Sequence, residues 1–140
     1  LDLVDFLIRN GSQVESDLQE LWRRMVFNIC ISNVDDHLRN HGFILTGKGW
    51  KLAPAYDMNP SETGDGLSLN LSQDDNSQSL DLALEVAEYF RLKNSKAKEI
   101  ISEVVGAVLQ WEKIAKKSVS SKEVSRMRQA FRVAEAKRLK

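Results

Sequence analysis

Residues 16–30, SDLQELWRRMVFNIC, carry apolar side chains at steps that alternate between three and one. Positions spaced in this way share one face of a helix, so the stretch predicts a strongly amphipathic helix of about four turns. Ser16 and Gln19 match the capping-box pattern and predict where this helix begins. Its apolar face consists of Leu18, Leu21, Trp22, Met25, Val26, Ile29 and Cys30.

A shorter helix is predicted before this stretch. Leu3, Phe6 and Leu7 lie at helical spacing. Asn10 and Gly11 follow them, and this pair predicts a left-handed residue that ends the helix.

Helical periodicity returns in the second half of the chain. It predicts helices over residues 80–92 and 95–117. A capping box at Ser120 and Glu123 predicts the start of a last helix. The residues expected to face inward are Leu84, Ala87 and Phe90 in the first of these helices, Ile100, Ile101, Val104, Val108 and Trp111 in the second, and Val124, Met127, Phe131 and Ala134 in the third.

The helical pattern is interrupted between residues 32 and 79. Two short apolar runs, 43–45 and 50–52, flank the glycine-containing turn 46–49 and predict a β-hairpin, which Pro54 ends. Residues 60–79 are rich in Ser, Asp, Asn and Gly and predict a long loop with a functional or partly mobile character. The expected fold class is therefore mainly α, with one small β-hairpin.

Composition indicates a single domain over residues 1–140, because 42% apolar content in 140 residues suffices for one modest core. Basic and acidic residues number 20 each, which excludes a uniformly polycationic nucleic-acid binder, and the apolar content excludes a disordered chain. Charge is uneven, however: residues 1–90 carry 6 basic and 15 acidic side chains, and residues 91–140 carry 14 and 5. We expect the two parts to complement each other.

The chain has one cysteine, Cys30, and so forms no internal disulfide. Its place on an apolar helix face favours a buried small side chain over a nucleophile. The sequence has no secretory signal pattern and no apolar run near the roughly 20 residues that cross a bilayer. A cytoplasmic location without membrane contact is expected.

A polar cluster, NVDDHLRN at residues 33–40, directly follows the amphipathic helix. Asp35 and Asn40 have the Asp-x-x-x-x-Asn spacing of a kinase catalytic loop, in which the Asp accepts the proton of the attacking hydroxyl and the Asn binds magnesium. The predicted hairpin comes next and then Asp57, in the order in which a kinase places its second metal-binding Asp. This order favours phosphoryl transfer over the simpler interpretation that the same residues only cap helices and form turns.

The segments NVDDHLRN at 33–40 and LAPAYDM at 52–58 resemble the C-terminal lobe of HipA-like kinases. The resemblance also covers the helix before the first segment, the hairpin, and the helical tail with Trp111. HipA-like proteins are bacterial serine/threonine kinases and toxins of toxin–antitoxin systems. The resemblance implies a helical kinase C-lobe in which the small hairpin carries the catalytic and metal-binding loops.

Residue by residue, the resemblance implies that Asp35 is the catalytic base and that Asn40 and Asp57 bind Mg²⁺ and with it ATP. His37 lies within the catalytic motif, where it either contacts phosphate or braces the loop. Asp36 departs from the family pattern, since relatives often have Gly or a basic residue at its position. An added carboxylate there would repel the nucleotide unless it faces away.

The resemblance also implies partners. These are a HipB-like helix-turn-helix antitoxin, DNA indirectly through that antitoxin, and a protein substrate such as an aminoacyl-tRNA synthetase. The basic segment 122–140 is interpreted as a solvated helix face with at most an auxiliary role toward DNA. No residue of the chain identifies the substrate.

The phosphate-covering glycine loop of a kinase is not found in the sequence. Gly47 and Gly49, like Gly64 and Gly66, lack the third glycine and a following strand-borne lysine. Leu1 is also not an initiator Met. We therefore expect the chain to be a fragment whose N-terminal lobe lies upstream, and to be catalytically silent alone.

Two other interpretations remain open. A metal-dependent phosphohydrolase or nuclease would use Asp35, His37 and Asp57 around divalent ions and would be active by itself. A degenerate kinase lobe would only bind a repressor or DNA. A zinc site at His37 and His41 is not expected, because the ligand spacing is wrong, and the tryptophans are expected in the core rather than on stacked bases.

Overall fold

The computed structural model describes residues 1–62 and 79–138. Helices dominate these residues and one two-stranded antiparallel hairpin interrupts them, which confirms the predicted fold class. In chain order the elements are α1 (Asp2–Asn10), α2 (Val14–Cys30), a 3-10 turn (Leu38–Asn40), β1 (Phe43–Thr46), β2 (Gly49–Leu52), α3 (Leu80–Glu85), a 3-10 turn (Ala87–Phe90), α4 (Asn94–Val108), α5 (Trp111–Ala115), α6 (Ser121–Met127), a 3-10 turn (Arg128–Phe131) and α7 (Arg132–Arg138).

Helix α2 lies at the centre of the core. It packs against α1, β2, α3, α4 and α7, and its predicted apolar face is buried apart from the partly exposed Met25. The indole of Trp22 has no exposed surface and donates a hydrogen bond from Nε1 to the carbonyl oxygen of Ala83 (3.1 Å). A buried indole N–H needs such an acceptor, so this bond fixes α3 against α2.

Two buried charged side chains of α2 hold the hairpin and the segment after it. The Asp17 carboxylate is 3% exposed and accepts hydrogen bonds from Gln13 Nε2 (2.8 Å) and from the backbone N–H of Leu52 (2.9 Å). The Arg24 guanidinium is paired with Glu20 (2.8 Å) and donates from Nη2 to the carbonyl oxygen of Ala53 (2.9 Å). A buried charge is tolerated only when it is paired in this way, so both contacts position the end of β2.

The hairpin lies where it was predicted, but each strand is one residue longer at the turn, because Thr46 and Gly49 also pair. Phe43 pairs with Leu52 and Thr46 with Gly49, and β2 ends two residues before Pro54. Of the turn glycines, Gly49 alone has a positive φ, +123°. The half-buried Trp50 lies edge-on to Phe6, with ring centroids 6.0 Å apart, so it belongs to the packing as expected.

The last helices join the core through aromatic stacking. The rings of Trp111 and Phe131 are stacked with centroids 4.0 Å apart and an interplanar angle of 5°. The predicted capping box is present: Ser120 accepts from the N–H of Glu123, and Glu123 accepts from the N–H of Ser120. Val124 and Ala134 are buried, so the predicted apolar stripe is confirmed.

Predictions for the N-terminal helix boundaries were partly wrong. Helix α1 ends at Asn10 as expected, but Gly11 is extended (φ −72°, ψ 142°) instead of left-handed, because it forms a bridge with Trp50. Helix α2 begins at Val14, two residues before the predicted capping Ser16. The bond from Gln13 to the buried Asp17 spans the first turn in place of a capping box.

Both long helices predicted in the second half are interrupted. The helix over 80–92 becomes α3 and a 3-10 turn that ends at Arg91, a left-handed residue with φ +56°. Leu84 is only partly buried, because the tighter turn brings Val86 inward instead. The helix over 95–117 is divided into α4 and α5, and beyond this break Trp111 turns onto Phe131.

Some ion pairs join the acidic part of the chain, residues 1–90, to the basic part, residues 91–140, as expected. Arg91 pairs with Glu15 (2.5 Å) and Arg126 with Glu62 (3.2 Å). Most of the predicted loop 60–79 lies outside the described residues. Within the described ranges, the model contains no helix that combines the length and the apolar character needed to cross a membrane.

Candidate active site

Residues 32–42, here called the polar loop, connect α2 to the hairpin. Ser32 turns the chain out of the helix with a left-handed backbone (φ +52°) and is 1% exposed. The next residue, Asn33, is also buried and donates from its backbone N–H to the Asn28 carbonyl (2.9 Å) and from Nδ2 to Asn28 Oδ1 (3.1 Å). The start of the polar loop is therefore fixed to the last turns of α2.

Within the loop, Asn40 is bonded back to Asp35. Asn40 is 8% exposed, and its Nδ2 donates to the backbone carbonyl of Asp35 (3.1 Å). Its backbone N–H donates to the carbonyl of His37 (2.8 Å) in a 3-10 turn. The side-chain carboxylate of Asp35 is exposed. The loop thus presents an exposed Asp35 side chain on a main chain that the Asn40 amide nitrogen holds in place. An amide oxygen such as Asn40 Oδ1 is a group that can accept an ion.

Asp57 is brought toward the end of the polar loop by the segment after β2. The backbone N–H of Ala53 donates to the Gly42 carbonyl (2.8 Å), and the Tyr56 hydroxyl donates to the Arg39 carbonyl (2.7 Å). Gly42 fits this close approach well, since a Cβ there would lie 3.3 Å from the Ala53 Cβ, a tight contact, and 3.7 Å from the Tyr56 hydroxyl, an ordinary one. The segment after β2 therefore runs beside the polar loop at Arg39 and Gly42.

Asp57 itself has a left-handed backbone, with φ +56°. Its side chain is exposed, and Oδ1 accepts a hydrogen bond from Asn59 Nδ2 (2.8 Å). Left-handed backbone in residues other than glycine costs free energy and is concentrated at functional sites. Asp57 is thus an exposed carboxylate with one oxygen, Oδ1, held by Asn59, and carboxylate oxygens are ligands for hard cations.

Asp36, the residue that departs from the family pattern, is turned away from solvent. Its Oδ1 contacts His41 Nε2 (2.8 Å) and its Oδ2 accepts from Asn28 Nδ2 (2.9 Å). Both carboxylate oxygens are therefore engaged within the protein, and the side chain faces inward. His41 is therefore a hydrogen-bonded histidine of the loop's interior.

His37 is partly buried, and its Nδ1 is buried without a hydrogen-bond partner among the described residues. Its backbone carbonyl accepts from Asn40, so it stabilises the turn through the main chain. No side-chain contact assigns it a catalytic role, which stays a prediction.

Mg²⁺ prefers few carboxylates together with amide, water and phosphate oxygens, and Asn40 with Asp57 offers such a set. The described residues contain no group of three or more His, Cys, Asp or Glu side chains arranged to hold a metal ion. The three-ligand cluster of Asp35, His37 and Asp57 required by the phosphohydrolase interpretation is therefore not formed.

A cleft of about 340 Å³ lies between α2, α4 and the segment after β2. Phe27, Met58 and Val104 line its floor, and the ion pair between Arg23 and Glu103 (2.8 Å) lies at its rim. None of the predicted site residues lines this cleft. Cys30 is fully buried, as predicted, and burial raises the pKa of its thiol to about 12, so the thiol is protonated at neutral pH.

Sequence reasoning missed the residues that support the site. Asn28 and Asn33 bond to each other beneath the polar loop, and Tyr56 ties Asp57 to it. A signal was available for Asn28, because it is a polar residue within three positions of the apolar Met25, Ile29 and Cys30 on an otherwise apolar helix end. A buried amide on such a face requires a polar partner.

One protein-family model matches the chain, over residues 1–112, and it describes a HipA-like C-terminal domain. The match includes the polar loop, the hairpin and Asp57, and it ends just after Trp111. A search of curated proteins finds no match.

Proposed function

The chain belongs to the family of HipA-like C-terminal domains, and from this premise we propose that it is the catalytic lobe of a serine/threonine protein kinase. The reaction would transfer the γ-phosphoryl group of ATP to a protein hydroxyl. The observation that carries the proposal is the hydrogen bond from Asn40 Nδ2 to the backbone carbonyl of Asp35, which fixes the main chain that bears the exposed Asp35 side chain.

The proposed role of Asp35 is that of the general base. As the substrate hydroxyl oxygen bonds to the γ-phosphorus, the bond from that phosphorus to the β–γ bridging oxygen breaks, ADP leaves, and Asp35 takes the hydroxyl proton. Asp35 suits this role because its carboxylate is exposed while its backbone is fixed by Asn40. Fixed orientation of the base lowers the entropic part of the barrier.

Asn40 and Asp57 would hold Mg²⁺ through Oδ1 and Oδ2, respectively. Magnesium, when bound, neutralises charge on the phosphate oxygens of the nucleotide. The left-handed backbone of Asp57 and its contact with Asn59 limit the directions in which its carboxylate can point. His37 remains a candidate for phosphate contact within the same loop.

Family membership also supports a toxin role in a bacterial toxin–antitoxin system. The proposed partners are a HipB-like helix-turn-helix antitoxin, DNA through that antitoxin, and a protein substrate of the aminoacyl-tRNA synthetase kind. These assignments place the protein in the cytoplasm. They come from the family and from no contact in the chain itself.

The test is label transfer from radiolabelled ATP by the full-length protein, to itself and to cell-extract proteins, with Asp35→Ala and Asp57→Ala variants. Loss of a general base lowers the rate by about 10²–10⁴-fold, and both variants should fold, since both side chains are exposed. Asp5→Asn, an exposed acid on α1, is the matched control.

Transfer by the wild type and the control, lost in both variants, would support the proposal. A well-folded wild type that transfers no label while still binding its antitoxin would overturn it and favour the degenerate lobe. Residues 1–140 alone are expected to transfer none, whereas the phosphohydrolase interpretation requires that they cleave a phosphate ester.

A further inference from the structure

The polar loop is closed by two parallel cross-links. The first joins Asn40 to Asp35, and the second joins His41 to Asp36, each spanning five residues. The second link, here called the inner link, is shifted by one position along the chain at both of its ends. The two side chains assigned to catalysis lie directly next in sequence to the two that form the inner link.

The inner link is well shielded from water. The side chains of His41 and Asp36 are 6% and 14% exposed. Hydrogen bonds to an ionised carboxylate are short and stronger than neutral ones, and shielding from solvent preserves that strength. An exposed pair of the same kind would contribute little.

The orientation of the His41 ring depends on this link. A carboxylate can only accept hydrogen bonds, so Nε2 of His41 carries the proton and donates. The other ring nitrogen, Nδ1, is buried with no partner among the described residues. Asp36 is therefore the side-chain hydrogen-bond partner that holds this ring.

The link extends to α2 through Asn28. Asp36 Oδ2 accepts from Asn28 Nδ2, and Asn28 Oδ1 accepts from Asn33 Nδ2. Asn28 and Asn33 are 3% and 2% exposed, so the chain of bonds ends within the core. The polar loop is thus fastened to a rigid helix at a point between its two catalytic positions.

We propose that Asp36 and His41 are positioning residues for phosphoryl transfer, because their hydrogen bond fixes the two neighbouring side chains that carry it out. This inference rests on the proposed kinase function. A displacement of reacting groups by about 1 Å can lower a rate by about 10²-fold, so loss of the link should reduce turnover without removing any group that touches substrate.

A pair of His41 variants separates the hydrogen bond from mere packing. In His41→Gln the amide nitrogen takes the place of Nε2 and can donate to Asp36. In His41→Asn the amide nitrogen takes the place of Nδ1, where the structure provides no partner. The two variants are both polar amides and differ by one methylene group.

The measurement is label transfer by the full-length protein at saturating ATP, as a function of magnesium concentration, with thermal unfolding recorded for each variant. We expect His41→Gln to stay within about threefold of wild type, and His41→Asn to lose about 10²-fold. The magnesium concentration for half-maximal rate should rise in His41→Asn, because Asn40 is adjacent. Asp5→Asn is the control. Should His41→Asn fail to fold, His41→Leu gives the same contrast with an apolar side chain.

Equal rates and magnesium dependence for His41→Gln and His41→Asn would overturn the inference. It would also be overturned if both variants lost rate equally, in proportion to their loss of thermal stability, while the magnesium concentration for half-maximal rate stayed constant. Asp35→Ala separates this failure from that of the proposed function: a wild type that transfers label while Asp35→Ala does not keeps the kinase assignment, whatever the His41 variants do.

Discussion

Arg132 donates a hydrogen bond from Nη1 to Ser32 Oγ (3.2 Å), which joins two residues that are 100 positions apart in the chain. Ser32 is the first residue of the polar loop, and Arg132 begins α7. The family match ends at residue 112, so this contact connects a segment beyond the matched region to the candidate active site. The last helix therefore supports the loop as well as the core.

Removing the Ser32 hydroxyl should destabilise the fold. A hydrogen bond to a charged donor contributes about 1.5–3 kcal/mol, and Ser32→Ala loses it while keeping the left-handed backbone. Ser32→Gly loses the same bond but relieves the strain of φ +52°, which costs about 1–2 kcal/mol in residues with a Cβ. We therefore expect Ser32→Gly to be the more stable of the two in urea unfolding.

The exposed Ser102→Ala is the control and should change the unfolding free energy by less than about 0.5 kcal/mol. A Ser32→Ala variant as stable as the wild type would show that the contact with Arg132 contributes nothing measurable.

The stacked pair of Trp111 and Phe131 should be needed for stability. Phe131 is 7% exposed, and truncation of a buried Phe to Ala costs about 3–5 kcal/mol. Ile114 on the neighbouring helix is 62% exposed, so Ile114→Ala is a control expected to cost less than about 0.5 kcal/mol. Chemical unfolding measures both, and similar values for the two variants would contradict a structural role for the last helices.

Local patterns accounted for the parts of the fold that local chemistry determines. The apolar face of α2, the position of the hairpin and the capping box at Ser120 all depend on residues close together in sequence. The start of α2 was misjudged because the buried Asp17 draws Gln13 into the first turn, and the burial of Asp17 depends on Leu52, 35 positions away. Periodicity carries no information about such a partner.

The candidate site likewise has features that local sequence predicts and features that depend on distant contacts. The spacing of Asp35, Asn40 and Asp57 could be read from the chain, but the direction of the Asp36 carboxylate could not. Asp36 turns inward because Asn28 and His41 both reach it, and Asn28 belongs to a different element. Side-chain direction in an irregular loop follows from tertiary contacts, which no period of two or 3.6 residues encodes.

The hairpin turn should tolerate substitution at one glycine and reject it at the other. Gly49 has φ +123°, and a Cβ there would lie 2.7 Å from the carbonyl oxygen of Asn10. Gly47 has nothing within 4 Å of a built Cβ and no left-handed backbone. Gly49→Ala should therefore lower the unfolding free energy by about 1–3 kcal/mol, while Gly47→Ala should stay within about 0.5 kcal/mol of wild type. Thermal unfolding of the two variants checks this, and equal midpoints would contradict the observed turn geometry.

The buried Cys30 thiol should make stability depend on pH in the alkaline range. Burial raises its pKa from 9.0 to about 12, so the folded chain keeps the proton while the unfolded chain loses it. The neutral thiol therefore contributes fully to the free energy of unfolding at pH values below the pKa of the thiol in the unfolded chain. This contribution is lost as the pH rises toward 12. The difference in unfolding free energy between wild type and Cys30→Ala should narrow by about 1.4 kcal/mol for each pH unit above the unfolded pKa. Urea unfolding of both proteins between pH 7 and pH 10 measures this difference, in which other titrating groups cancel. A constant difference across that range would mean that the thiol ionises as readily in the folded chain as in the unfolded one.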